Sequence, residues 1–357
     1  MTDVLEIVTV EIDGTPWSAW SVARIRRSAT DAVSEASVTL HDPGEGLSPD
    51  WEGLPARVLA SGDLLVTGFV RDFSPAHTPG GRQITIAIAS KTVDGVESSI
   101  VDRSGRVAEM NLVEIGNHFD AQDIGWESEE TFPPEPKHQI IPGESQWQTV
   151  ERLARGRNAT IHDTPEGRFK VATRPADRHA GVIALGINVI TASAKFTGAG
   201  RHDVVKVRGQ STIGGEATAL RPEGAARDRG VKRPRPRVII HEEEATPDRL
   251  RQRAEFETRR AAGNGTTATV KVVGWRDAEG ELWTPNRLVA VRDPLVWLDG
   301  DMVIKAVGFD QDTTAAEHGT TATLELADPR ALGGEDPKGA SAAAYAAPDD
   351  TATFEAL

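Results

Sequence analysis

Apolar and polar side chains alternate along the first hundred residues, the period-two pattern of half-buried β-strands. Val8, Val10 and Ile12 alternate with polar neighbours, and Asp13-Gly14 then supplies a turn. Further short runs of this kind follow up to about residue 101, separated by segments that contain Gly and Pro. Closely spaced short strands are typical of a barrel or a sandwich. We therefore predict that residues 1–104 form the first part of a β-barrel domain.

The pattern changes to helical spacing after residue 105. Leu112 and Ile115 fall on one helix face, and Ser145–Gln148 has the Ser-x-x-Gln spacing of a capping box, in which each side chain bonds a free backbone N–H of the other residue. Two strand-like segments follow this second helix, and a turn that contains Pro165 and Gly167 joins them. These features predict a small α+β domain over residues 105–178.

Residues 179–237 combine renewed strand patterns with a segment of different composition. We predict return strands of the first barrel, followed by a flexible basic loop, because residues 211–237 contain no aromatic side chain and few aliphatic ones. Within 221–237 there are seven basic and two acidic side chains. The candidate partner-contacting residues in this loop are Arg227, Arg229, Lys232, Arg233 and Arg235.

The last third of the chain returns to strand patterns after one helix. Thr246-Pro247-Asp248 has a capping hydroxyl, a Pro at the first helical position and an acid in the first turn, and the helix is expected to end near Gly263. We predict that residues 238–330 form a second β-barrel domain with this one helix. Residues 331–357 are Ala-rich and acidic, and we expect them to be mobile unless a partner orders them.

Composition and charge limit the classes of function. The chain has 357 residues with 40 basic and 54 acidic side chains, a net charge of −14, and no cysteine. An acidic surface is unsuited to binding nucleic acid over its whole extent, and the lack of cysteine excludes disulfides, thiol nucleophiles and Cys-ligated metal sites. No apolar run is long enough to span a membrane, and the first ten residues lack the positive charge of a signal peptide.

A search for catalytic and cofactor motifs gives no candidate, so we predict no catalytic, cofactor-binding or metal-ligating residue. Gly198-Ala199-Gly200 lacks the third glycine and the helix of a dinucleotide loop. His241–Glu244 offers donor atoms for a metal ion, but a solvated acidic segment before the helix is favoured. Carboxylates are abundant enough for a two-carboxylate glycosidase, yet nothing singles out a pair.

Two groups of residues have open alternatives. The basic loop is interpreted as a solvated loop, as a contact for an acidic protein or subunit, or as a nucleic-acid contact, and base stacking is disfavoured because no aromatic residues are interleaved. Four tryptophans are favoured as core or subunit-interface anchors over sugar platforms. They are Trp147, Trp275, Trp283 and Trp297.

The order of several short segments resembles a known family, the baseplate hub proteins of contractile-tailed phages related to the Mu tail protein P. The resemblance spans residues 5–330 and departs from the family pattern at Gly95–Glu97. The segments that carry it are Ser90–Asp94, Pro142–Trp147, Glu151–Ala154, Asp163–Arg168, Val204–Gln210, Arg235–Ile240, Gly274–Arg276 and Gly280–Asn286.

The resemblance implies a trimer in which each subunit carries two related β-barrel domains, in a plan similar to the T4 baseplate hub and the upper part of type VI secretion spike proteins. Such a hub joins a hexameric tail tube to a trimeric central spike, contacts other baseplate proteins and lines the channel through which DNA leaves. It is assembled in the host cytoplasm and carried in the virion. It has no enzymatic activity, cofactor or membrane-spanning segment.

Two functions from other classes remain open. The chain is alternatively a tail-associated protein that binds the cell wall or hydrolyses peptidoglycan, with the α+β domain as the binding module. The other alternative is an effector-bearing secretion spike, although no repetitive needle sequence follows residue 330.

Overall fold

The computed structural model describes residues 5–41, 49–79, 81–210, 222–244, 246–314 and 319–335. It is mainly β, with a small α+β unit inserted between two strand-rich units, and it confirms the predicted fold class. The predicted mobile tail begins too early at residue 331, because Ala331 and Leu332 are buried in a small apolar cluster. The segment after residue 335 lies outside the described residues, so its predicted mobility stays a prediction.

The first unit is an antiparallel arrangement of strands whose apolar positions face one core. Val10, Val58 and Ile86 alternate with exposed or half-buried neighbours, as the period-two pattern predicted. The strands of this unit are β1 (Val8–Ile12), β2 (Thr15–Trp17), β3 (Val22–Ser28), β4 (Glu35–His41), β5 (Pro55–Ala60), β6 (Asp63–Thr78) and β7 (Gly81–Ser90).

The α+β unit packs three helices against short strands. Both predicted capping residues act as expected, since Ser145 and Gln148 form a reciprocal capping box at the start of the helix Gln146–Gly156. The segment that departs from the family pattern lies in the helix Thr92–Glu97, so it is no longer part of the preceding strand. The elements are α1 (Thr92–Glu97), β8 (Arg106–Val107), α2 (Leu112–His118), β9 (Trp126–Glu127), β10 (His138–Gln139), α3 (Gln146–Gly156), β11 (Thr160–Asp163) and β12 (Phe169–Ala172).

The rest of the chain forms the second strand-rich unit and a small separate sheet. The predicted helix start at Thr246 is confirmed, because its hydroxyl accepts the N–H of Arg249. The elements are β13 (Asp177–Ala184), β14 (Val189–Phe196), β15 (Val204–Gln210), β16 (Glu223–Arg227), β17 (Arg237–Glu244), α4 (Pro247–Gly263), β18 (Thr266–Val273), β19 (Arg287–Asp293), β20 (Leu298–Asp312) and β21 (Thr320–Ala327).

One hydrogen-bonded sheet connects the two strand-rich units. Strand β20 pairs antiparallel with β3 over seven residue pairs, and Phe309 lies opposite Ile25 in this register. Both side chains are buried in the same core cluster, which contains residues from both units. The order of strands along this sheet is β14-β18-β21-β20-β3-β4-β7-β6-β5-β1-β2. Strand β19 also pairs with β20, and β13 pairs with β19. The two units therefore share a core and a continuous sheet.

The strands after residue 177 do not pair as we predicted. We expected them to return to the first barrel, but β13 pairs with β19 and β14 pairs with β18, both in the second unit. Alternation marks a strand but carries no information about its partner, which explains the difference. The division into domains itself remains a proposal.

The predicted flexible basic loop also contains regular structure. Residues 223–227 form β16, which pairs with β15, and β15 pairs in parallel with β17 to make a three-stranded sheet. Helix α4 packs on this sheet so closely that a Cβ at Gly224 would lie 2.4 Å from the backbone of Leu250. Small residues are needed at this contact, and their low β-propensity concealed the strand in the sequence. Residues 211–221 lie outside the described residues.

Candidate interaction surfaces

The basic turn, residues 228–236 between β16 and β17, is fixed by a buried ion pair. Arg201 donates from Nε and Nη2 to the two carboxylate oxygens of Asp228 at 2.6 and 2.7 Å, and both side chains are at most 5% exposed. Asp228 also accepts the N–H of Gly230 at 2.8 Å. This two-point geometry satisfies both charges inside the protein and sets the path of the turn.

The second half of the basic turn is bound to the segment before β15. The guanidinium of Arg235 donates to the carbonyl oxygens of Gly198 and Ala199, both at 2.8 Å. Asp203 accepts the backbone N–H of Arg235, and His202 Nδ1 lies 3.0 Å from the Arg235 carbonyl oxygen. Arg235, predicted as a partner contact, therefore has a structural role.

The other predicted contact residues are exposed. Arg229, Lys232 and Arg233 lie together on the basic turn, and Arg227 ends the neighbouring strand β16. The ammonium of Lys232 donates to the Arg229 carbonyl oxygen at 3.2 Å, which keeps the two residues together. The turn therefore presents several cations on a fixed backbone. Their contact with a partner stays a prediction.

Sequence reasoning missed Arg201 and Asp228, the residues that order this surface. They are 27 positions apart, and neither stands in a motif. The one available signal was the acid Asp228 within a run of basic residues, which we counted only as charge.

A second polar cluster joins β13 to the segment after β18. His179 Nδ1 lies 2.9 Å from Asp277, and its Nε2 accepts the N–H of Thr284 at 2.9 Å. Ligand atoms of His179, Asp277 and Glu281 lie within 4.8 Å of one another, close enough for a common metal ion. However, the other carboxylate oxygen of Asp277 accepts the N–H groups of Glu279 and Glu281. Both ring nitrogens of His179 and both carboxylate oxygens of Asp277 are already used in internal hydrogen bonds. We therefore interpret the cluster as a structural contact.

The His241–Glu244 segment, considered above as a metal ligand set, begins with a buried histidine. Arg253 on α4 donates to His241 Nδ1 at 2.8 Å, so this nitrogen faces a cation. Burial, together with the charges of Arg253 and Arg249, lowers the pKa of His241 to about 4. The side chains of the three following glutamates lie outside the described residues.

The α+β unit is attached to the first unit by a buried carboxylate. Asp163, at the end of β11, accepts the N–H of Ser34 at 2.9 Å and its hydroxyl at 2.7 Å. Burial raises the pKa of Asp163, while Arg27 and Ser34 oppose that shift. The two hydrogen bonds from Ser34 to Asp163 are suited to holding the α+β unit in a fixed orientation on the first unit.

The four tryptophans differ in exposure. Trp275 and Trp283 are buried, Trp147 is half-buried, and Trp297 is 73% exposed. The first three fit the predicted core role. Trp297 is available for contact with another surface.

Among the described helices, none is both long and apolar enough to cross a membrane.

Comparisons with known proteins agree with the fold. Residues 246–335 match the family described as the fourth domain of the Mu phage baseplate assembly protein GpP. The baseplate hub protein gp44 of Escherichia phage Mu is 24% identical over 297 residues, which cover 80% of this chain and 78% of the Mu protein.

Solved structures extend the similarity to nearly the whole chain. A 43 kDa tail protein of the prophage MuSo2 from Shewanella oneidensis is 26% identical, with a TM-score of 0.79 over 92% of this chain and 99% of that one. A type VI secretion component of E. coli, described as structurally similar to the T4 tail proteins gp27 and gp5, shares the fold at 8% identity. Its TM-score is 0.53, covering 90% of this chain and 74% of that one. The resemblance inferred from the sequence is thereby confirmed: this chain is similar in sequence to the baseplate hub protein gp44 of phage Mu and similar in fold to a Mu-type prophage tail protein.

Proposed function

We propose that the protein is the structural hub of a contractile-tail baseplate, a trimer that joins a hexameric tail tube to a trimeric spike. The observation that carries this proposal is the β20–β3 pairing, which unites two strand-rich units in one rigid sheet within a single chain. Three such chains present six strand-rich units around one axis. A surface of this kind is matched to six tube subunits on one side and to threefold symmetry on the other.

The partners in this proposal are the tail tube protein, the central spike protein and other baseplate proteins. The basic turn is the contact that we assign to an acidic surface on one of these proteins. Its cations are fixed by the Arg201–Asp228 pair, so that binding does not require the turn to be ordered first. Because the chain as a whole has a net charge of −14, this turn is a local exception.

The channel through the trimer passes DNA without holding it. An acidic lining denies phosphates the cation contacts that drive non-specific binding of DNA. The chain's net charge of −14 supports an acidic lining. A lumen lined by a continuous basic surface would contradict it.

The role is architectural and non-enzymatic, exercised in the virion after assembly in the host cytoplasm. Immunogold labelling of tail particles with antibodies against this chain tests the location. We expect label confined to the baseplate end of the tail, and label along the tube or an absence of label on intact particles would overturn the proposal. A zymogram with purified protein tests the non-enzymatic role, which a zone of peptidoglycan clearing would contradict.

A further inference from the structure

Four large apolar side chains are exposed at one end of the parallel strand pair β13–β19. Ala184 and Arg292 lie opposite each other at the last residues of this pairing, so both strands end on the same side. The turn after β13 exposes Leu185 and Ile187, and the turn after β19 exposes Leu295 and Trp297. We call these four residues the apolar patch. A cluster of this kind on a protein surface marks an interaction site more often than scattered apolar residues do.

The first turn of the apolar patch is fixed by hydrogen bonds. Asn188 accepts the N–H of Ala184 at 2.9 Å and donates to the Val182 carbonyl oxygen at 3.1 Å. The N–H of Leu185 donates to the Arg292 carbonyl oxygen at 3.1 Å, which connects this turn to the second one. Leu185 and Ile187 are therefore held outward on ordered backbone.

The second turn is equally fixed, and it contains an unfavourable backbone conformation. Asp293 accepts the N–H of Leu295 at 3.1 Å, and Val296 packs against the core. Trp297 adopts a φ of +55° while its side chain is 73% exposed. A left-handed conformation is disfavoured for a bulky residue, and this tryptophan gains little burial in return. An exposed, strained tryptophan is expected where it serves a contact outside the chain.

The same chain presents a second rigid apolar surface. Leu5 and Ile7 are 58% and 66% exposed on the extended segment that leads into β1. The residue between them, Glu6, is buried and accepts hydrogen bonds from Arg276 at 2.7 Å and from Ser61 at 2.6 Å. Because side chains alternate along an extended chain, this anchor directs Leu5 and Ile7 outward on the same side.

The two apolar surfaces are separated along the molecule. Arg276, which holds Glu6, precedes Asp277, which binds His179 near the beginning of β13. The apolar patch follows the end of that strand. A single copy of the chain therefore exposes two different apolar surfaces, which is the requirement for head-to-tail contact between identical subunits.

An open strand edge lies beside the apolar patch. Strand β14, which begins two residues after Ile187, ends the order of the large sheet and pairs with β18 alone among the described strands. It has eight residues, without proline and with one charged side chain, Lys195. Long edges with so little charge are normally protected from unwanted pairing, and a neighbouring subunit supplies that protection.

We propose that the apolar patch of one copy contacts Leu5 and Ile7 of the next copy, and that three such contacts close the ring. This inference rests on the proposed function for the number of subunits, while the contact surfaces come from the geometry above. The occupant of the patch is thus a second copy of this chain. Repetition of one heterologous contact around a threefold axis leaves neither surface exposed in the trimer.

The solution mass of matched variants tests the contact, measured by light scattering over a range of concentrations. Leu295→Ser/Trp297→Gly and Leu5→Ser/Ile7→Ser should each weaken association by at least about thirty-fold, because buried anchors of this size carry much of an interface's free energy. The control is Val101→Ser, since Val101 is 98% exposed in the α+β unit and lies outside both surfaces. It should keep the mass of the unaltered chain.

Mixing the two double variants gives a sharper result. Each retains one intact surface, so an equimolar mixture can form one contact but cannot close a ring, and we expect a dimer. Variants that stay trimeric overturn the contact while leaving the hub function intact. Dissociation of the Val101→Ser control or the absence of a dimer in the mixture also overturns it. An unaltered chain that stays monomeric overturns both the contact and the proposed trimer.

Discussion

The basic turn and the apolar patch are both surface turns, but they are held in place by different interactions. A buried ion pair between distant residues orders the basic turn, whereas backbone and short-range hydrogen bonds order the two turns of the apolar patch. A buried charge needs an oppositely charged partner inside the protein. Loss of either partner leaves the other charge buried and uncompensated. The basic turn is therefore more sensitive to a single substitution than the apolar patch is.

Removal of one partner of the ion pair is expected to have the largest effect on stability. Arg201→Met leaves Asp228 buried without its cation, and this should lower the free energy of unfolding by about 3–5 kcal/mol. The measurement is urea denaturation followed by tryptophan fluorescence. The double variant Arg201→Met/Asp228→Leu is the control, and it should recover most of the loss because no charge stays buried. Equal losses in the two variants would contradict this account of the turn.

Acid should weaken the three-stranded sheet of β15, β16 and β17, which carries the basic turn, and leave the apolar patch intact. His241 on β17 has its pKa lowered to about 4 in the folded state, from an ordinary value of 6.5. Between these values the unfolded chain binds a proton that the folded chain does not, so stability is lost as the pH falls from about 6.5 towards 4. His241→Asn keeps an acceptor for Arg253 and should make this dependence shallower. Part of the dependence should persist, because burial also lowers the pKa of His138 to about 4 and that of His162 to about 3.

The measurement is the thermal unfolding midpoint from pH 7 to pH 5, combined with hydrogen exchange of segment 237–244. The exposed His77→Asn is the matched control, and its profile should follow that of the unaltered chain. Profiles that fall equally steeply for His241→Asn and His77→Asn would show that His241 does not contribute to the acid sensitivity.

Relief of the strained tryptophan should produce a smaller change of opposite sign. Trp297→Gly removes a bulky residue from a left-handed conformation, and the unfolding midpoint should stay the same or rise by an amount equivalent to at most about 1 kcal/mol. Differential scanning calorimetry below the association concentration measures it. A clear fall in the midpoint would show that Trp297 stabilises the monomer and would weaken its assignment as a contact residue.

Reversal of the exposed charges should have the smallest effect on folding. Arg229→Glu/Lys232→Glu/Arg233→Glu alters exposed side chains, so the free energy of unfolding should change by less than about 0.5 kcal/mol per residue. The unaltered protein should bind an acidic probe, poly-glutamate, at low salt, and the triple variant should lose this binding. Unchanged binding of poly-glutamate, measured by fluorescence anisotropy, would remove the basic turn as an acidic-partner site.

The sequence predicted elements better than it predicted their partners. Alternation located the strands, and cap residues such as Ser145 and Thr246 located two helices, because both signals are local. The pairing of β13 and β14 with the second unit and the Arg201–Asp228 pair depend on contacts between distant positions. Of the candidate site, the exposed cations were predictable from composition. The role of Arg235 and the exposure of Trp297 required the folded chain.

The mass of the unaltered protein in solution tests the central claim most directly. Sedimentation velocity over a range of concentrations should reach a species of three times the mass of one chain and no larger closed assembly. That result is expected because three chains with two strand-rich units each provide the sixfold set that a tail tube requires. A protein that stays monomeric throughout, or that assembles into dimers or open chains without a trimer, would contradict the account.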